Sequence, residues 1–429
     1  MCINNTVQES TKPPPSRVAS SSAANGNTNN EVNTKNTSNT SNNRPINYVD
    51  MEQCRREYLF TLPAVVQDWV IKHLLRRQDA RNMTIFLVGV NILLTSVPAA
   101  MALFYWEQQM QQQAQQQEQS RSCTSFLLAS RLPLTIAGMA YLLFHMKFCA
   151  RSFLLSIHYL THCSIFNRRF RALDLVWTAV LGNLFGIPPG LYYSHHIAMH
   201  HALDNVAPYD MSSTMDYNRS CRWNHFKYML RFVTAGALEL PYRLIQVGKW
   251  KLALLCITGC TAFAMLLVYT AMVSPIASLF VLWLPCIFCG FALMQGNFKE
   301  HIFVDPDEYE NNYKSTVTCI NAPSNALTFN TGYHVEHHEE PGLPWYQLPE
   351  LFLKNLHKHA RNDSFVFSGI GTMEVGTMVL HEQFDALADH YVNIGQPQRS
   401  KTELIAEFKR RLVPISVPPS RPSCRTKSE

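Results

Sequence analysis

Four stretches of the chain are apolar for about twenty residues each: Thr84–Trp106, Cys123–Phe144, Leu252–Val273 and Ile276–Met294. The only charge within them is Arg131, near one end, where a long side chain can snorkel to water. A bilayer core of about 30 Å takes roughly 20 residues of helix to cross. Read as core helices of a soluble protein, four such runs would be exceptional. They predict an all-α integral membrane protein with four transmembrane helices.

A fifth apolar stretch, Ala172–Tyr193, is broken by Gly186, Pro188, Pro189 and Gly190. Proline pairs interrupt a helix, so this stretch reads as an interfacial or re-entrant segment rather than a fifth crossing. An even number of spans leaves both termini on one side. The connections on the other side are short: the Gln-rich run Glu107–Gln119, read as a polar low-complexity loop, and the tight Ser274–Pro275 turn.

Net charge is +6, and the basic residues cluster at Arg55–Arg81, Arg168–Arg171, Arg243, Lys249 and Lys251. They flank apolar runs, which points to a membrane surface and away from nucleic acid. They also lie on the side of the termini, which the positive-inside rule makes cytosolic. Residues 1–50 are rich in Ser, Asn and Thr and carry few large apolar groups, so they read as a disordered tail without a secretory signal. The remaining expected divisions are a membrane domain at 51–365, a cytosolic helical region at 366–412 and a second disordered tail at 413–429. The 12 cysteines are scattered, and Cys286 and Cys289 fall inside an apolar run, so they read as small buried hydrophobes.

The histidines are not scattered. Of 17, most fall into four groups: His158 and His162; His195, His196, His200 and His201; His301; and His334, His337 and His338. All four groups map to the cytosolic face, on a helical cap. His158 and His162, four apart, share one helix face. Crowded imidazoles repel when charged and pack no better than leucine when neutral, but they are common ligands for iron, zinc and copper. His158, His162, His196, His200, His201, His301, His334, His337 and His338 make nine candidate ligands, enough for two ions with open positions. His196 is preferred to His195 because it lies one helical turn before His200. His73, His225, His357, His359, His381 and His390 read as ordinary surface residues. No His-Glu-x-x-His is present, which removes the simplest metalloprotease reading.

His-x3-His, a cluster ending in His-His, and His-x2-His-His around four spans resemble the membrane fatty acid desaturase and hydroxylase superfamily. The resemblance covers roughly residues 80–360. It implies a non-haem centre of two iron ions held by these histidines, with O2 as co-substrate. It also implies desaturation of a fatty acyl chain, as acyl-lipid or acyl-CoA. The second box departs from the usual His-x2-His-His: here His196-x3-His200-His201 has one more residue, a spacing found among hydroxylases. Asn297 and His301 match the Asn-x3-His pattern of stearoyl-type desaturases, which implies that Asn297 holds a metal-bound water. An external electron donor, a cytochrome b5-type protein or a ferredoxin, is implied, because no His-Pro-Gly-Gly haem motif is present. A multi-pass location in the endoplasmic reticulum follows from the same resemblance.

Acidic residues near the boxes, Asp204, Asp210 and Glu336 among them, are candidates to orient ligand imidazoles. Tyr192, Tyr193, Trp223, Tyr333 and Trp345 are candidates to line a substrate path. The competing readings are a hydroxylase of the same superfamily, acting on a lipid, sterol, carotenoid or alkane, and a non-catalytic metal-binding membrane protein. A metal transporter places its ionisable ligands within the bilayer, whereas these lie beyond the span ends.

Overall fold

The computed structural model describes residues 50–51, 58–117 and 123–417. The N-terminal tail expected over 1–50, apart from Asp50, lies outside the described residues, as does the second tail beyond residue 417.

The described chain is mostly helical, and four of its helices are long and apolar enough to cross a membrane: Ala80–Gln116, Arg131–His162, Trp250–Val273 and Pro275–Glu300. Each contains most of one apolar run. The second and fourth continue past it toward histidines. The second proceeds as the helix Cys123–Phe144, a π-helical turn at His145–Ala150 and the helix Arg151–His162. One rod therefore carries both the apolar run and His158 and His162. The fourth runs on to Glu300 and delivers His301 at its end. The C-terminal ends of the second and fourth helices come together at the helix His334–Glu339, where His158 meets His337 and His301 meets His334.

Over its described residues, Glu107–Gln117, the Gln-rich run is helix and not the loop expected. It continues the helix Ser96–Gln117, since glutamine is a good helix former and no breaker intervenes. At its start Glu107 is buried, and its two carboxylate oxygens accept the N–H groups of Ile276 and Ala277 at 3.1 and 2.8 Å. These are orphan donors at the first turn of the fourth span, where a negative charge is favourable.

The Pro-broken segment folds as short pieces. Turns of helix at Arg168–Leu173, Val176–Val180 and Leu181–Phe185 lead to a non-helical link, and the helix Leu191–His195 follows. Proline supplies no N–H and fixes its own φ, so the backbone turns at Pro188-Pro189. The link lies tight against the third span: a Cβ at Gly259 would stand 1.9 Å from the Pro189 carbonyl oxygen. Glycine at this point lets the two backbones touch.

The cap is not purely α. Strands Thr318–Ile320 and Val366–Ser368 pair in parallel, Thr318 opposite Val366. Both are short, buried and rich in residues that suit a pleated surface. Phe303, Phe365, Phe367 and Phe408 pack together behind them, with helices Thr372–Leu380 and Lys401–Arg410. Arg219 is fully buried and donates to the carbonyls of Thr214, Ile302, Arg411 and Val413. It ties the segment after the fourth span to residues 411–413, just after the helix Lys401–Arg410.

Candidate metal centre

Each histidine group is placed by a different local device. His158 and His162 sit one turn apart at the end of the second rod. His196 and His200 bound a π-helical turn, and His201 follows it directly. The wider π turn suits the extra residue in this box and brings His196, His200 and His201 within one ring contact of one another. His301 caps the fourth span, and its Nδ1 lies 3.0 Å from the Ser315 carbonyl oxygen. His334, His337 and His338 share the short helix His334–Glu339.

All nine candidates converge. Eight of them form two groups of four, His158, His162, His196 and His337 in one and His200, His301, His334 and His338 in the other. Within each group one nitrogen per residue lies within 4.8 Å of all the others. His201 sits between them, its Nε2 3.2 Å from that of His196 and its ring stacked 4.4 Å from that of His338. His195 stays apart. Its ring packs 5.3 Å from Phe232, and its Nε2 has no hydrogen-bond partner among the described residues.

The nitrogens suit a pair of metal ions. Nε2 atoms face each other at 2.8 Å (His158 and His337), 2.9 Å (His162 and His196), 3.2 Å (His200 and His301) and 3.3 Å (His301 and His334). A metal–nitrogen length of about 2.1 Å gives ligand–ligand edges of roughly 3.0 to 3.4 Å, which the two longer approaches match and the two shorter fall just under. His196 Nε2 faces two other Nε2 atoms, and so does His301 Nε2. A ring nitrogen has a single in-plane site, so a set of hydrogen bonds does not satisfy this pattern, and a cation at a shared focus does.

Electrostatics favour the same use. Burial, and after it the crowding of neighbouring imidazoles, holds His196, His201, His334, His337 and His338 well below the ordinary imidazole value. Burial brings His301 to about 3. Neutral imidazole is the form that binds metal.

Several of the rings have a group on their second nitrogen. Asp210 Oδ2 lies 2.9 Å from His200 Nδ1, with both side chains fully buried. Burial alone would raise the Asp210 carboxyl, but His200, with help from His195 and Ser212, carries it below the usual carboxylate range. Asp204 Oδ1 lies 3.3 Å from His338 Nδ1. Ser315 faces His301, as above, and the Tyr192 hydroxyl lies 3.3 Å from His158 Nδ1. Asn297 lies in the adjoining cavity wall, and its amide donates to the Ser212 carbonyl and the Tyr228 hydroxyl. Glu336 turns its oxygens away from the centre, to Thr318 and His359. His359 and His225, read from sequence as surface residues, are both buried. A period-less polar stretch hides burial, because the covering groups come from elsewhere in the chain.

A cavity of about 380 Å³ adjoins both groups, reaching His158, His196, His200 and His334. Its apolar wall includes Leu154 and Leu155 of the second rod, Leu191 beside the Pro-broken link, and Leu293 of the fourth span. Of the aromatic candidates, Tyr192 lines it. Tyr333 is buried elsewhere and donates to Asp50, Trp345 packs on Phe329, and Tyr193 and Trp223 are exposed.

Residues 130–367 match the fatty acid desaturase family. The chain is 28% identical over 213 residues to sphingolipid delta(4)-desaturase/C4-monooxygenase DES2 of Homo sapiens. It is 24% identical over 202 residues to sphingolipid delta(4)-desaturase DES1 of Bos taurus, and 26% over 218 residues to the DES2 of Rattus norvegicus. Each match takes in 46% of this chain, which thus spans 59% of the length of these curated relatives. No solved structure matches the chain.

Proposed function

The chain belongs to the fatty acid desaturase family, and from that premise we propose that it desaturates a fatty acyl chain at a pair of iron ions held by the clustered histidines. The observation that carries the reading is the two groups of four imidazoles at the wall of one apolar cavity. Imidazole suits zinc and copper as well, and the family's general dependence on iron favours iron here.

Removal of two hydrogens from –CH2–CH2– yields –CH=CH– and two electrons. Reduction of O2 to two waters takes four electrons and four protons. Two electrons and two protons must therefore come from outside, which calls for an external donor of the cytochrome b5 or ferredoxin type. The bound irons supply O2 activation strong enough to attack an unactivated C–H bond. The chain's own work is to hold the ligands, exclude water and position one acyl carbon, so the cavity walls set regioselectivity. Nine histidines serve the irons: the eight of the two groups, with His201 between them. Asp204 and Asp210 orient His338 and His200, and Asn297 faces the cavity as a candidate holder of water. The basic residues flanking the spans support a cytosolic orientation for this face, with the endoplasmic reticulum as the expected membrane.

Hydroxylation of a lipid is the second reading. It is favoured by the extra residue in the second box and by the DES2 relatives, whose names join a desaturase to a C4-monooxygenase. Expression in a host of known lipid composition, followed by lipid mass spectrometry, separates the two: a new double bond supports desaturation and a new hydroxyl supports hydroxylation. Purified protein with less than about one iron per chain would sink both.

A further inference from the structure

The helix His334–Glu339 carries three of the histidines on six residues and has no side-chain N-cap. A helix so short does not hold its own orientation. At about 100° per residue, His334, His337 and His338 fall on one face and Glu336 on the opposite one. Behind that face the Thr318 hydroxyl donates to one Glu336 oxygen at 2.9 Å, and His359 Nε2 donates to the other at 2.6 Å. His359 Nδ1 is engaged in turn by the Ser364 hydroxyl. Thr318, Glu336, His359 and Ser364 are all buried. The rings of Tyr313 and Phe352 pack edge-on against His359 at 4.9 and 4.8 Å. None of these residues reaches the cavity.

We propose that Thr318–Glu336–His359 is a positioning brace that sets the rotation of the His334–Glu339 helix, and through it the nitrogens of His334, His337 and His338. The inference rests on the metal reading above. A buried carboxylate needs partners on both oxygens, and these come from two elements distant in sequence, the strand Thr318–Ile320 and the helix Leu356–Asn362. The carboxylate is thus pinned at two points, and a helix pinned through one side chain at two points cannot turn about its axis. Because His337 joins one group and its neighbour His338 the other, a small rotation would disturb both groups together.

The test uses the purified full chain loaded with Co(II), whose visible d–d bands report ligand geometry without turnover. His359→Ala should weaken cobalt binding roughly 10- to 100-fold and shift the bands. His359→Gln, whose amide can still donate to Glu336, should restore most of both. Wild-type affinity and spectrum in His359→Ala, whatever its melting temperature, would overturn the brace. If His359→Ala does not fold, Thr318→Val removes the other arm, and an unshifted spectrum there overturns the proposal equally. Failure of the wild type to bind cobalt overturns the metal reading and the brace with it, whereas binding by the wild type with unaffected variants overturns the brace alone.

Discussion

His200 Nδ1 lies 2.9 Å from Asp210 Oδ2, and neither side chain reaches solvent. The other oxygen of Asp210 accepts from the Ser212 N–H and hydroxyl at 2.8 and 2.7 Å, so the carboxylate is held on both oxygens. A carboxylate on the far nitrogen fixes the tautomer and raises the basicity of a ligand imidazole. Asp210→Asn should therefore lower iron affinity by roughly tenfold, and Asp210→Ala by up to about 100-fold. Metal titration of the apoprotein reads this directly. Equal affinity in all three forms would show that His200 needs no such partner.

The structure separates two neighbouring histidines. His196 joins the first group, and His195 packs beside Phe232. His196→Ala should leave about one iron per chain, since it removes a ligand from one set of four. His195→Ala should keep the wild-type content. Elemental analysis of the two purified variants decides the matter, and the reverse pattern would overturn the ligand set.

Far from the centre, Glu107 holds the first N–H groups of the fourth span. Glu107→Ala leaves those donors buried and unpaired, at a cost of about 1–3 kcal/mol. Thermal melting in detergent should show the loss, with iron content per folded chain unchanged. A melting temperature equal to wild type would mean that water or detergent replaces the carboxylate.

Gly259 touches the Pro189 carbonyl. Gly259→Ala forces the third span and the Pro-broken link apart, which should destabilise the fold by about 1–3 kcal/mol. The same link leads into the helix that ends at His195, so metal binding should weaken as well. Unchanged melting and metal affinity would show that the link is free to shift.

How far these features can be read from sequence depends on the range of the forces behind them. The four candidate spans are legible because partition into a bilayer is nearly a sum over consecutive residues. His158 and His162 are legible because helical periodicity puts them on one face. The Gln-rich run shows the limit of composition, since polar residues without a breaker continue a helix as readily as they form a loop. His359 shows another. Nothing near it in sequence marks it as buried, and its cover comes from Glu336, Tyr313 and Phe352.

By itself the sequence determined the four stretches long and apolar enough to cross a membrane, the rare density of imidazole and the point at which the fifth apolar stretch breaks. These follow from local free energies of transfer, helix geometry and proline. The tertiary structure decided which histidines stand together. The two groups do not follow the sequence boxes: His337 joins His158, His162 and His196, while His334 and His338 join His200 and His301. Adjacent residues on a helix point about 100° apart, so His337 and His338 face different foci once the helix is fixed in place. That fixing depends on contacts between segments far apart in the chain, and only packing in three dimensions specifies them.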